Sequence, residues 1–176
     1  GMCMADAATG RLLWGHRGAT KHVHSQGMCG DVLASAPGWE CYGGERDNPL
    51  ARWFRDCRGA VLSTNDLGGL AVRTVFWDAD PQREVIRGKG IGNLDPDQPA
   101  ELPAGIEGDV VLIADLTGDW REEIVTSVAG ELRIYSTLIP AADRRVCLLS
   151  DPIYRLDVVQ ASSGYYQVPM LSRAEP

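Results

Sequence analysis

Little in the chain reads as helix. Apolar residues rarely recur at helical spacing, which argues against a helical architecture. No apolar run approaches the roughly 20 residues that a membrane-spanning helix needs, so no membrane partner is expected. No basic stripe is present and the 176 residues carry a net charge of −7, which speaks against a nucleic-acid partner. The five cysteines, Cys3, Cys29, Cys41, Cys57 and Cys147, include no CxxC pair, and a zinc ribbon is disfavoured. Cys29 and Cys41 are candidates for pairing, with buried free thiols as the other reading. No signal peptide is visible, and Gly1 ahead of Met2 reads as an expression scar, which leaves the native start open.

What is present is ordinary globular composition, 44% hydrophobic and 23% charged, of a length that suits one domain. Short β-rich runs are punctuated by Gly, Pro and Asp: Val72–Trp77, Val110–Ala114, Glu123–Ser127, Leu132–Ser136 and Val146–Leu149. Val128-Ala-Gly-Glu131 reads as a tight hairpin with Gly130 at the turn. Asn93–Gly108, rich in Pro, Asp and Gly, reads as a long surface loop.

The most informative stretch is Asp115-Leu-Thr-Gly-Asp-Trp-Arg-Glu-Glu123. Acidic groups and a hydroxyl fall at alternating positions, Gly118 permits a sharp turn, and a β-branched run follows. A hard cation such as Ca²⁺ wants several oxygen ligands gathered in one short loop. Asp115, Thr117, Asp119, the carbonyl of Arg121 and Glu123 offer them; the alternative is an acidic turn whose charges are solvated. The order is echoed by Asp78, Asp80 and Glu84, and more loosely from Asp31 to Glu40. Arg83 and Arg121 each precede an acid of the motif and are placed to pair with loop carboxylates.

The starts of the three copies, Asp31, Asp78 and Asp115, lie 47 and 37 residues apart. Repeats of about 40–50 residues with several short strands are the signature of β-propeller blades. The expected fold is therefore all-β, a β-propeller segment of about three to four blades by that repeat length. Blade-like repeats fall around 31–77, 78–114 and 115–176. An irregular β-sandwich is the other architecture that fits. So few blades leave open strand edges, which implies that the chain belongs to a larger ring or associates with itself.

With the repeat laid out, the chain resembles family 11 of the polysaccharide lyases, the rhamnogalacturonan lyases, at the end of their propeller. The residues that carry the likeness are Ala114-Asp-Leu-Thr-Gly-Asp-Trp-Arg-Glu-Glu-Ile, Leu132-Arg-Ile-Tyr-Ser-Thr, Asp143-Arg-Arg-Val, Asp151-Pro-Ile-Tyr-Arg-Leu and Gly164-Tyr-Tyr-Gln-Val-Pro. Upstream, His22-Val-His24, Pro37-Gly-Trp-Glu and Trp77-Asp-Ala-Asp-Pro-Gln-Arg-Glu are also similar. The resemblance implies an eight-bladed propeller with calcium in its blade loops. It also implies a secreted or periplasmic protein and cleavage of an acidic polysaccharide, the rhamnose–galacturonate backbone of pectin, by β-elimination. The chain departs from the family at Ala104-Gly-Ile-Glu107, where the family carries Asn-Gly-Thr-Lys, and at Gln160-Ala161, where it carries Trp-Gln.

β-Elimination beside a carboxylate needs that carboxylate neutralised, a base for the C5 proton and an acid for the leaving oxygen. His22 and His24 are two apart, on one side of a strand, with His16 nearby. They are candidates for the base, for a metal site or for substrate hydrogen bonding, or are simply bonded to backbone. Tyr165 falls where the resemblance places a cleft tyrosine and Tyr166 follows it; base, sugar stacking and core packing are all open to them. Lys89 is a candidate for replacing the lost lysine, and Arg145 for binding a uronate carboxylate. Two functions follow: the C-terminal part of a calcium-dependent lyase, or a non-catalytic, calcium-stabilised propeller that binds a glycan or protein partner. A fragment lacking the whole cleft is the third possibility.

Overall fold

The computed structural model describes residues 1–23, 27–95, 105–164 and 168–172. The chain forms two units, Gly1–Val72 and Arg73–Pro176. In the first, β1 (Cys3–Ala5) pairs with β2 (Leu12–Gly15), and β3 (Met28–Gly30), β4 (Glu40–Gly44), β5 (Arg52–Arg55) and β6 (Val61–Ser63) form a four-stranded sheet in chain order. In the second, β7 (Arg73–Val75), β8 (Glu84–Arg87) and β9 (Gly90–Gly92) form one three-stranded sheet. β10 (Asp109–Ala114), β11 (Glu123–Val128) and β12 (Glu131–Tyr135) form another, and a helix, α1 (Pro152–Ser162), follows. Every strand pairing within these sheets is antiparallel.

The mostly-β expectation therefore holds, as successive antiparallel meanders. The hairpin at Val128–Glu131 forms as read: these two residues pair, and Gly130 adopts φ 81°, a conformation costly for residues with a Cβ. Two expectations need correction. Val146–Leu149 is not a strand, because Leu148–Ser150 coils into a 3-10 turn. The described residues also include a true helix, α1. Asp151 caps it, accepting from the backbone N–H groups of Ile153 and Tyr154, and Pro152 occupies its first turn, where no N–H is needed. The stretch Asn93–Gly108 is buried at both ends, through Asn93, Asp95 and Ile106; residues 96–104 lie outside the described part.

The central strands β8 and β11 are buried on both faces along most of their length, as befits strands flanked on either side. In the second unit the two sheets share an apolar core of Val75, Trp77, Ile86, Ile91, Ile106, Ile113 and Ile124. A second cluster gathers Phe76, Trp120, Leu148 and Tyr154 beneath α1. In the first unit Met28, Val32, Cys41, Tyr42 and Phe54 are buried.

Candidate functional site

Three sheets repeat one local device. In each, the first two strands are joined by a loop, and the second strand opens with a buried glutamate. Glu40, Glu84 and Glu123 pair in register with Gly30, Val75 and Ala114, the last residues of their first strands. Each turns one carboxylate oxygen, Oε2, onto two consecutive N–H groups at the start of its loop. Glu40 accepts from Val32 and Leu33 at 3.0 and 3.1 Å. Glu84 accepts from Trp77 and Asp78 at 2.7 and 3.3 Å. Glu123 accepts from Leu116 and Thr117 at 2.8 and 3.0 Å. The side chain thus replaces the ladder partners that the chain gives up where it leaves the sheet.

Strand register also sets the true equivalences. Asp78 corresponds to Thr117, two residues beyond the Asp115 that acid order suggests, while Asp80 corresponds to Asp119 as that order has it. Asp80 and Asp119 make the same turn, each accepting from the N–H two residues on, at 2.8 and 3.1 Å.

What differs is the second oxygen of the clasp. Glu123 Oε1 accepts from the hydroxyls of Thr117 and Ser136 at 3.1 and 2.8 Å. Glu84 Oε1 is buried without a hydrogen-bond partner. Around it, ligand atoms of Asp78, Asp80 and Glu84 converge within 4.8 Å of one another. Burial, and then the neighbouring Asp78 and Asp80, push the Glu84 carboxyl up to about 8. A buried orphan oxygen beside two half-buried carboxylates suits a hard cation, which would satisfy all three at once. Glu40 Oε1 is likewise buried and unpartnered, but its loop carries Leu33 and Ser35 at the positions of Asp78 and Asp80.

The Asp115 loop is wired differently. Asp115 is fully buried, and its carboxylate accepts from the N–H groups of Gly118, Trp120 and Leu148 at 2.7, 3.2 and 2.8 Å. Asp119 forms an ion pair with Arg121 at 2.7 Å, and Arg121 also donates to the Ile139 carbonyl. Among the described residues, the acidic group that converges at metal-ligating distances is therefore Asp78, Asp80 and Glu84.

The other candidates are scattered. His22 is exposed; its backbone N–H donates to Glu45 at 2.7 Å, and burying little, the segment is held by that carboxylate and the Val23–Glu45 bridge. His16 stacks on Trp53. His24, Tyr165 and Tyr166 lie outside the described residues. Lys89 is exposed in the turn between β8 and β9, and Arg145 lies 4.2 Å above the Trp120 ring. Glu107, at the end of the departing segment, pairs with Arg133.

Sequence reasoning missed Glu122, which sits at the centre of a buried network. Its carboxylate meets Arg83 at 2.8 Å and accepts from Tyr154 Oη at 2.6 Å and from Phe76 N at 3.0 Å. Tyr154 Oη in turn accepts from Asp115 N at 3.0 Å. The doubled Glu122-Glu123 was the only signal: two acids at a strand start, of which the ladder can use one.

The family described as rhamnogalacturonan lyase family 11, C-terminal domain, matches residues 1–173. The chain is 34% identical to the rhamnogalacturonan endolyase YesW of Bacillus subtilis (strain 168), over 98% of its own length and 28% of that protein. It is 28% identical to the rhamnogalacturonan exolyase YesX of the same organism, over 98% of its length and 31% of the relative. Among solved structures, the Bacillus licheniformis rhamnogalacturonan lyase PL11 superimposes with a TM-score of 0.77 at 30% identity, covering 97% of this chain and 30% of that one. The chain thus spans under a third of the relatives it matches. The repeated loops, the meanders and this match together place the chain in rhamnogalacturonan lyase family 11, as its C-terminal domain.

Proposed function

We propose that this chain is the C-terminal part of a secreted, calcium-dependent polysaccharide lyase that cleaves a rhamnogalacturonan-like glycan by β-elimination. Its meanders would be blades of a larger propeller, whose remaining blades cover the open edges. The observation that carries the reading is the match to relatives named as rhamnogalacturonan lyases across nearly the whole chain. The calcium part rests on Asp78, Asp80 and Glu84 and on the unpartnered oxygen they enclose. Calcium bound there would offset most of the charge of three carboxylates and order the loop between β7 and β8. In the reaction itself, a base removes the C5 proton of the uronate, the electron pair forms a C4–C5 double bond, and the bond to the leaving oxygen breaks as that oxygen is protonated. The histidine and tyrosine candidates are the groups of this chain suited to those proton transfers.

One observation favours the non-catalytic reading. Glu107 stands where the family carries lysine, and its carboxylate pairs with Arg133. An acid there repels a uronate that a lysine would attract. Ultraviolet absorbance of the unsaturated product, with rhamnogalacturonan and calcium, separates the two. The measurement should use the chain joined to the remainder of its propeller. Product formation supports the lyase; binding without product, in a fully folded ring, supports the glycan-binding role.

A further inference from the structure

We propose that Trp53, His16 and Arg55 form a separate binding subsite for a uronate residue of an acidic polysaccharide. The proposal rests on the reading of the ligand given above and concerns surface that the acidic loops do not include.

The first observation is an uncompensated cation. The partly or fully buried Arg52, Arg83 and Arg121 each meet a carboxylate: Asp66, Glu122 and Asp119. Arg55 is half-buried, yet its guanidinium meets no carboxylate among the described residues. Its bonds go to the carbonyl of Gly59 at 2.6 Å and to His16 Nδ1 at 3.5 Å. A guanidinium held by a carbonyl and an imidazole nitrogen, with no carboxylate among these partners, is set to receive a planar anion.

The second observation is local charge. From Ala7 to Gly30 the chain contains no Asp or Glu, while it carries Arg11, Arg17, Lys21 and all three histidines. In a chain of net charge −7, this acid-free stretch, touched by the Asp6 carboxylate at Thr9 and the Glu45 carboxylate at Lys21 and His22, lowers the repulsion of an acidic polymer.

The third is a stacking surface without a core role. Along β5, Arg52 and Phe54 are buried, while Trp53 and Arg55 point to the other face and stay half-exposed. There the indole of Trp53 stacks on the imidazole of His16, with ring centroids 3.9 Å apart and planes at 25°. Trp14 braces the cluster from beside it. Its Nε1 donates to the Cys57 carbonyl at 2.9 Å, and its ring lies 5.8 Å from the Arg55 guanidinium. Gly59 makes this bracing possible: at φ 91°, with a Cβ that would fall 2.6 Å from Trp14 Cγ, it admits no side chain. Rigid aromatic surface beside a fixed guanidinium complements a sugar that has an apolar C–H face and one carboxylate.

The test is affinity electrophoresis of the 176-residue chain in gels carrying polygalacturonate, rhamnogalacturonan backbone or neutral galactan, followed by calorimetry with oligogalacturonides. Wild type should be retarded by the two uronate polymers and not by galactan. Arg55→Gln should weaken binding roughly tenfold, as expected for a charge-assisted contact, and Trp53→Ala should do the same. Arg55→Lys, which keeps charge without the fork, should fall between. If wild type is retarded and Arg55→Gln and Trp53→Ala bind equally well, the subsite is overturned while the acidic-polysaccharide ligand stands. If no uronate polymer retards wild type, that ligand assignment falls and the subsite with it. Should Trp53→Ala fail to fold, the two Arg55 variants decide alone.

Discussion

At the scale of single residues, two equally buried carboxylates, Asp115 and Glu40, do different jobs, and the hydrogen bonds each accepts decide which. Asp115 has no exposed surface and three backbone N–H partners. One of them belongs to Trp120, whose φ of 73° is unusual for a side chain of that size and costs about 1–3 kcal/mol to hold. Asp115→Ala removes the acceptor of all three N–H groups at once, so we expect a loss of about 2–4 kcal/mol in urea unfolding, equal with and without a chelator. A chelator-dependent loss would instead point to a metal held by Asp115. Glu40 makes a different prediction. Burial, aided by Asp31 and Asp56 and opposed by the N–H groups of Val32 and Leu33, raises its carboxyl to about 7. A raised acid favours folding while protonated, so its contribution is full below the unfolded value of about 4.3 and is lost as pH climbs through about 7. Denaturation midpoints should therefore fall across that window through this group, and Glu40→Gln should remove that part of the slope.

At the scale of elements, loops that look alike are joined through unlike residues. Arg83 and Glu122 occupy corresponding positions in their loops, and they meet each other at 2.8 Å with almost no exposure. Phe76 and Glu122 also exchange backbone contact, Glu122 N donating to Phe76 O at 2.9 Å. Tyr154 of α1 completes the join, and burial, with Glu122 adding to it, pushes its phenol far up, so it stays a neutral donor. Glu122→Ala leaves a buried guanidinium and a buried phenol without their acceptor. We expect about 3–5 kcal/mol of destabilisation; Arg83→Met with Glu122→Leu should recover much of it in a double-mutant cycle, and an additive result would contradict the coupling. The acidic loops and the hairpin at Gly130 were legible because turns and strand starts are written locally. The two-residue offset between loops was not, since it is fixed by cross-strand register. The α1 start was written as Asp151-Pro152, a cap followed by a first-turn proline, but its apolar pattern is weak: Ile153, Leu156 and Val159 all face outward. The network at Glu122 could not be read at all, because it joins residues 39 apart in sequence through burial.

At the scale of the whole molecule, the candidate cation site among the described residues lies in the second unit, and this gives calcium a localised signature. In the second unit Glu84 faces Asp78 and Asp80 with an orphan oxygen. In the first, the corresponding Glu40 faces a loop with Leu33 and Ser35 in their place. Without a cation, the Glu84 carboxyl is satisfied by a proton; raised to about 8, it favours folding below about pH 4.3 and loses that contribution as pH rises through about 8. A calcium ion replaces the proton and works in the opposite direction, binding best once the carboxylates are ionised. Calcium at a hundredfold over its Kd should then stabilise by about 2.7 kcal/mol, with the gain growing from pH 6 to pH 8. Hydrogen exchange should show new protection centred on residues 76–84, and little in residues 31–40. Asp78→Asn with Asp80→Asn should abolish both the thermal shift and the protection. Equal protection in the two loops, or a calcium shift that survives the double substitution, would place the ion elsewhere, and the orphan oxygen of Glu84 would then be a proton site alone.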